Sequence, residues 1–284
     1  MSAPEHAPAR GPVTITVTSG KGGVGKTNVV VNLAVALARL HHRVVVLDAD
    51  FGLGNVDVLL GLAPPYHIGH VLTGERTLAE IMVTGPLGIQ IIPASSGSKE
   101  LTALTPRQRG RLTEALETLR EDFDFLLIDT AAGISDNVLD TARGSRLALV
   151  VTSVDPTAVV DAYAMVKLLT KHDARLEIGL IVNDVRDSHD AQLVHTQLDI
   201  ASTRFLQRRL HYYGYISHDQ ALRAAVLVQR PVVDHEPQAP SSRCFRSIAC
   251  RLSGMTSGGP GLRVIASQAA PALAPVPAEA LQCA

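Results

Sequence analysis

Two rhythms of apolar residues alternate along this chain. Short runs of aliphatic and β-branched residues recur at Val13–Ser19, Arg43–Asp48, Leu87–Pro93, Phe123–Asp129, Arg146–Ser153, Leu176–Asn183 and Tyr212–Ile216. Stretches such as RVVVLD and FDFLLID are apolar almost throughout, as in strands covered on both faces of a parallel sheet. Between them lie segments with helical spacing: Asn28–Leu40, Thr105–Glu121, Thr157–His172, Asp190–Leu210, Ala221–Gln229 and Ser241–Leu252. In Thr105–Glu121 the stripe is Leu112, Ala115, Leu116 and Leu119, with Pro106 at the favoured first turn. Val56–Leu60 and, within Tyr66–Met82, the pieces His70–Leu72 and Thr77–Met82 read as short helices. Strands alternating with helices predict right-handed βαβ units and an α/β fold: a mostly parallel β-sheet flanked by helices. In such sheets ligands sit at the carboxyl ends of the strands.

The expected domain covers residues 13–252, between a disordered Pro/Ala-rich tail (1–12) and a disordered Gly/Pro/Ala-rich tail (253–284). A net charge of −1 and 4% aromatics advertise no nucleic-acid surface, so DNA is not an expected partner. The cysteines Cys244, Cys250 and Cys283 lack the spacing of a disulfide scaffold or zinc site. The first twelve residues hold no apolar core, and no apolar run approaches the roughly 18 residues that cross a bilayer. The expectation is a soluble, cytoplasmic protein.

Chemistry enters with Gly20–Thr27, GKGGVGKT, which fits the phosphate-binding loop G-x-x-x-x-G-K-[ST]. A predicted strand precedes it and a predicted helix follows, the context that turns the string into a site. Glycines let backbone amides point at phosphate oxygens, and the helix N-terminus adds its positive end. Gly20, Lys21, Gly22, Gly23, Val24, Gly25, Lys26, Thr27 and Asn28 form the candidate cradle for ATP or ADP. Lys26 is placed for the β- and γ-phosphates and the Thr27 hydroxyl for Mg²⁺.

Acids at strand ends complete the constellation. Asp129 closes FDFLLID, where a carboxylate supports Mg²⁺ directly or through water. Asp48 and Asp50 flank Ala49 at the end of the second strand, and Asp48 joins Thr27 and Asp129 as a candidate metal ligand. Either acid could orient an attacking water or cap the helix that follows. Asn183 ends a late strand, as an adenine contact or a turn former.

With these residues the chain resembles the MinD/ParA family of deviant P-loop ATPases, whose loop reads K-G-G-x-G-K-[ST]. Asp48–Leu62 (DADFGLGNVDVLLGL), Thr152–Lys167, Gly214–Asp219 and Gln229–Leu252 are similar to its FlhG/FleN subfamily of flagellar-number regulators. The resemblance runs from about residue 13 to about residue 252 of the chain. It implies an ATP-bound homodimer in which Lys21 reaches the partner's phosphates, with Asp50 orienting water and Lys21, Lys26 and Asp50 as the catalytic set. It implies a weak, partner-regulated ATPase that sets flagellar number and placement through an FlhF-type GTPase, C-ring proteins or a transcriptional regulator. A MinD-type division-site regulator and a ParA-type DNA-segregation ATPase are the alternatives on the same fold; an iron–sulfur carrier would need cysteines at the dimer seam.

The sequence departs from the family in three places. Asp129–Gly133 reads DTAAG, without the frequent proline. The usual I-P-x-D near adenine reads Ile216–Ser217–His218–Asp219, which keeps Asp219 as a candidate base contact but loses the proline. Met1–Pro12 lacks the D-Q-A-x-x-L-R segment that stimulates FlhF, so no such stimulation is expected from it. The family also implies an amphipathic membrane helix and peripheral attachment at the inner face of the plasma membrane. Ser241–Leu252, with Arg243, Arg246 and Arg251 beside Phe245, Ile248 and Leu252, is the first candidate, although core packing is the expected role for that stripe. Gly261–Gln268 is the second.

Overall fold

The computed structural model describes residues 11–94, 104–119, 122–133, 136–142 and 144–256. Eight strands form one sheet: β1 (Val13–Thr18), β2 (Val44–Ala49), β3 (Val83–Thr84), β4 (Gln90–Ile92), β5 (Phe125–Thr130), β6 (Leu147–Thr152), β7 (Glu177–Val185) and β8 (His211–Ser217). Their order is β3-β4-β2-β5-β1-β6-β7-β8, all parallel except the short edge pair β3–β4. The all-apolar runs are the central strands: β2, β5 and β6 are buried at every position.

Helices cover both faces, as the parallel sheet requires. On one side α1 (Lys26–Arg39) packs against the sheet and against α11 (Pro240–Ser253), with α10 (Val232–His235) beside them. Being covered by both, α1 is apolar around most of its girth, buried from Val29 through Leu37. The opposite face carries α7 (Pro156–His172) and α8 (Ser188–Leu206) over β6 and β7, and α3 (Ile68–Thr73) and α5 (Pro106–Glu117) over β2 and β5. The remaining helices are α2 (Val56–Leu59), α4 (Leu78–Ile81), α6 (Asp136–Ala142) and α9 (Gln220–Leu227).

Local chemistry explains most boundaries. Thr77 caps α4 reciprocally with Glu80, and Thr105 caps α5 with Gln108 while Pro106 takes the first turn. Asp187 accepts from the amides of His189 and Asp190, so α8 begins at Ser188, two residues before its expected start.

Three elements were not foreseen: the two-residue β3, α6 and α10. The expected strand Leu87–Pro93 shrinks to β4. Pro86–Gly88 forms a single 3₁₀ turn, in which Leu87 adopts φ 55°, before the chain extends. Phe245, Ile248 and Leu252 of α11 are buried against α1 and β8, Arg246 donates to the Pro237 carbonyl and Arg251 to those of Tyr212 and Tyr213. The stripe is core, and the membrane alternative for this helix is set aside. The second candidate, Gly261–Gln268, most of the N-terminal tail and residues 257–284 lie outside the described residues. No helix among the described residues is long and apolar enough to cross a membrane.

Candidate nucleotide site

Strand order brings the chemistry together. The P-loop leaves β1, the acids leave its neighbours β5 and β2, and Asn183 lies near the end of β7. Asp48 and Asp129 are direct cross-strand partners in the β2–β5 register.

Gly25 sits at φ 86°, where a side chain is strained, and a Cβ there would come within 2.3 Å of Asn183 Nδ2. That amide nitrogen donates to the Val24 carbonyl at 2.8 Å, so Asn183 pins the loop from the far strand. Lys26 opens α1 and turns inward. Its Nζ meets Asp129 Oδ1 at 2.6 Å, with only 8% and 2% of the two side chains exposed. Thr27 also hydrogen-bonds Asp129. Burial pushes the Asp129 carboxyl up, while Lys26 and Thr27 pull it back. Among the described residues, Asp48 has no cation within bonding reach. Its Oδ1 accepts from the Asp50 amide and its Oδ2 from the Val56 amide, both at 3.1 Å. Burial first, and the Asp129 charge second, push it up to about 7. Two acids side by side in a buried pocket, with one ammonium between them and the loop, suit a site that receives positive charge.

Asp50 is half-buried and accepts from the Leu53 amide at 3.1 Å, at the mouth of the same cluster. Lys21 behaves unlike Lys26. It leans out of the loop, with Nζ 3.2 Å from Asp155 Oδ2 and 2.5 Å from Thr157 Oγ1, and both charged side chains are well exposed. Asp155 caps α7 through the Thr157 amide. Thr157, then Lys21, hold its carboxyl at about 2.

Along the loop runs a cleft of roughly 300 Å³, lined by Lys21, Gly25, Asn28, Asn183, Leu222 and Val226 among others. Its far end is apolar on the α9 side, with Arg223 at the rim, a shape for a base. Asn183 Oδ1 is buried, with no hydrogen-bond partner among the described residues. Asp219 also lines the cleft, yet its oxygens are engaged: Oδ1 by the Ala221 amide, Oδ2 by the amide and hydroxyl of Ser241. Its carboxylate frames the base end.

The residues singled out in sequence are therefore gathered at one edge of the sheet. Sequence reasoning missed Asp155 and Thr157, which hold Lys21, and Asp184 and His218, which flank Asn183. Asp155–Pro156 was visible as a helix-start signal after β6; nothing in the pattern said that it would face the P-loop.

The family model described as "ParA: NUBPL iron-transfer P-loop NTPase" matches residues 12–253. The chain belongs to the ParA/MinD family of P-loop NTPases. Within the family it falls in the FleN/FlhG branch. It is 41% identical to the Antiactivator FleN of Pseudomonas aeruginosa over 83% of this chain and 84% of that protein. It is 34% identical to the Flagellum site-determining protein YlxH of Helicobacter pylori, over 75% and 72%. Among solved structures it superposes on the cell division ATPase MinD of Pyrococcus furiosus with a TM-score of 0.73, at 25% identity, covering 87% of this chain and 99% of the other. The MinD of Pyrococcus horikoshii, complexed with Mg-ADP, matches with a TM-score of 0.72 at 25% identity, over 86% and 98%. The ParA/MinD assignment makes the chain an ATPase of a nucleotide- and magnesium-binding fold. Cys244 and Cys250, the cysteines among the described residues, sit on α11 and do not line the cleft.

Proposed function

We propose that this chain is an ATP-dependent switch, weakly hydrolytic and partner-regulated, that dimerises around its nucleotide and regulates the number and placement of flagella. The flagellar output rests on the FleN and YlxH similarities. The switch reading is supported by one observation: Lys21 lies in the phosphate loop, yet its ammonium pairs with Asp155 and Thr157 at the exposed side of the cleft and not with the buried acid that holds Lys26. A loop lysine held at the surface by an exposed pair can exchange that pair for a second copy's phosphates.

The roles follow from the geometry. Loop amides and the α1 N-terminus bind the phosphates. Lys26 exchanges its bond with Asp129 for the β- and γ-phosphate oxygens, and the partner's Lys21 adds a second positive charge where negative charge shifts. Thr27, Asp129 and Asp48 would hold Mg²⁺, which would offset phosphate charge. Asp50, at the mouth of the acid cluster, orients the attacking water. Asn183 accepts from the base. Partners of the nucleotide-closed dimer would be drawn from an FlhF-type GTPase, C-ring proteins or a transcriptional regulator, in the cytoplasm or at the inner membrane surface.

Counting flagella in cells lacking the gene, or carrying Lys26→Ala, tests the output. Altered number or position is expected in both. Normal flagella together with filamentous or minicell-forming cells would overturn the flagellar role in favour of a division-site regulator.

A further inference from the structure

Away from the cleft, two histidines close the N-terminus of α3. His67 is the N-cap, in extended backbone at φ −143° and ψ 173°. The Gly69 amide donates to His67 Nδ1 at 3.1 Å, and the His67 amide donates to His70 Nδ1 at 3.3 Å. Thr77 with Glu80 and Thr105 with Gln108 build the same reciprocal cap from oxygen acceptors. The change of chemistry matters. Those oxygens accept throughout the neutral range, whereas an imidazole Nδ1 accepts only while it carries no proton. Both bonds at α3 therefore need two neutral rings with their hydrogens on Nε2.

The remaining first-turn amides have backbone partners: Ile68 donates to the Pro93 carbonyl and His70 to the His67 carbonyl. Among the described residues, Gly69 and His67 have the imidazoles alone. The two rings are half-buried and lie 4.2 Å apart, centroid to centroid, so a charge on one opposes a charge on the other. His70 Nδ1 also stands 3.2 Å from the His67 carbonyl, so a proton on that nitrogen would bond the carbonyl and repel the amide. The charged neighbours are otherwise engaged. Glu75 accepts from Thr73, Arg76 lies 4.4 Å over the Tyr66 ring and donates to Glu80, and Arg111 of α5 donates to the Leu72 carbonyl. Tyr66 meets His70 edge-on. A helix of six residues has little cohesion of its own. Its Ile68 and Leu72 share a core cluster with Phe51, the residue after Asp50, so the first turn borders the segment that leaves the acid cluster.

We propose that the His67–His70 pair is a proton-released clasp on the first turn of α3, closed while both rings are neutral and opened when either takes a proton. The sign of the effect is fixed by His67. Burial first, and His70 second, hold its imidazole below the ordinary value of 6.5, with Glu75 pulling the other way. The unfolded chain therefore takes this proton before the folded chain does. The clasp's contribution to stability is whole above that pH and is lost as pH falls below it.

The test compares urea unfolding of the full chain at about pH 7.5 and about pH 5, on either side of the ordinary histidine range. The parent is set beside the double variant His67→Asn/His70→Gln, which keeps both acceptors but cannot titrate. The parent's unfolding midpoint should fall between the two pH values by more than the double variant's, because the remaining histidines titrate alike in both chains. Corrected for the intrinsic pH dependence of exchange, the Gly69 amide should exchange roughly five-fold faster at the lower pH in the parent, the scale of one lost cap, and no faster in the double variant. Nitrogen-15 spectra at neutral pH should place the hydrogens of both rings on Nε2. Equal pH dependence in the parent and the double variant would overturn the clasp. So would a proton on His67 Nδ1 at neutral pH, which leaves the Gly69 amide without its acceptor. His67→Ala should expose that amide to rapid exchange at both pH values, and protection that persists there would show that packing alone holds the turn.

Discussion

The two ends of the cleft are built on opposite principles. At the phosphate end the central charged groups are buried and bonded: Lys26 of α1 to Asp129 of β5, and Asp48 of β2 to two backbone amides. At the opposite end the Asp184–His218 pair, next to Asn183, is half-exposed and stands near the edge of the sheet, with Asp184 at φ 57°. The difference is one of demand. Phosphate and metal bring large charges, and a site for them must be dry and pre-organised before they arrive. A base brings a few hydrogen-bonding atoms and one flat apolar face, so its pocket needs orientation more than charge, and rim residues suffice.

The comparison breaks most sharply at Asp129. Asp129→Ala removes the acid bonded to the buried Lys26 ammonium. Loss of one partner of a buried pair costs about 3–5 kcal/mol. The nucleotide-free protein should therefore unfold well below the parent in urea, and ATP hydrolysis should vanish. A variant with parental stability would mean that water reaches Lys26 freely and that the phosphate end is not dry.

Gly25→Ala strikes both ends at once. The methyl group is forced onto φ 86° and into the Asn183 amide. Backbone strain of this kind costs about 1–3 kcal/mol. Because Asn183 is the strut that links the loop to β7, affinity for inorganic tripolyphosphate and the extra affinity that the base adds in ATP should fall together. A loss confined to tripolyphosphate would show that the two ends are independent.

Much of this was legible in sequence, for a physical reason. A P-loop is a local object: strand, glycines and helix are contiguous, so Gly20–Thr27 announces itself. The central strands were equally plain, because burial on both faces leaves long apolar runs. Asp129 and Asp48 could be placed because strand ends in a parallel sheet meet along one edge. The remainder depended on distant contacts. Lys21's partner Asp155 lies 134 residues away in sequence. The irregularity at Asn183–Asp184 is a register event between β7 and β8, and a run that reads Leu176–Asn183 gives no sign of it. Short elements failed for another reason: β3 and α10 hold two and four residues, too few for any periodicity.

The smallest expected effect concerns the exposed member of the phosphate end, and it tests whether Lys21 belongs there. The Lys21–Asp155 pair is solvent-exposed. Exposed, solvent-screened pairs contribute little to stability, so Lys21→Ala should leave urea unfolding of the isolated chain nearly unchanged. Hydrolysis should fall all the same if, as proposed, the lysine acts across a dimer and not in the resting fold. The pH dependence has a definite sign. The Asp155 carboxyl is held at about 2 in the folded chain, below its ordinary value. Its contribution to stability is therefore present above pH 4 and lost as pH falls from there through 2. Following the Asp155 carboxyl carbon by NMR should give a midpoint near 2 in the parent chain. Lys21→Ala should shift it upward only slightly, since Thr157 supplies the larger share of the depression. A midpoint that returns to the ordinary carboxylate range in Lys21→Ala would mean that the lysine, and not the helix cap, organises Asp155. The tether would then be strong enough to hold Lys21 in place and would argue against its release to a second copy.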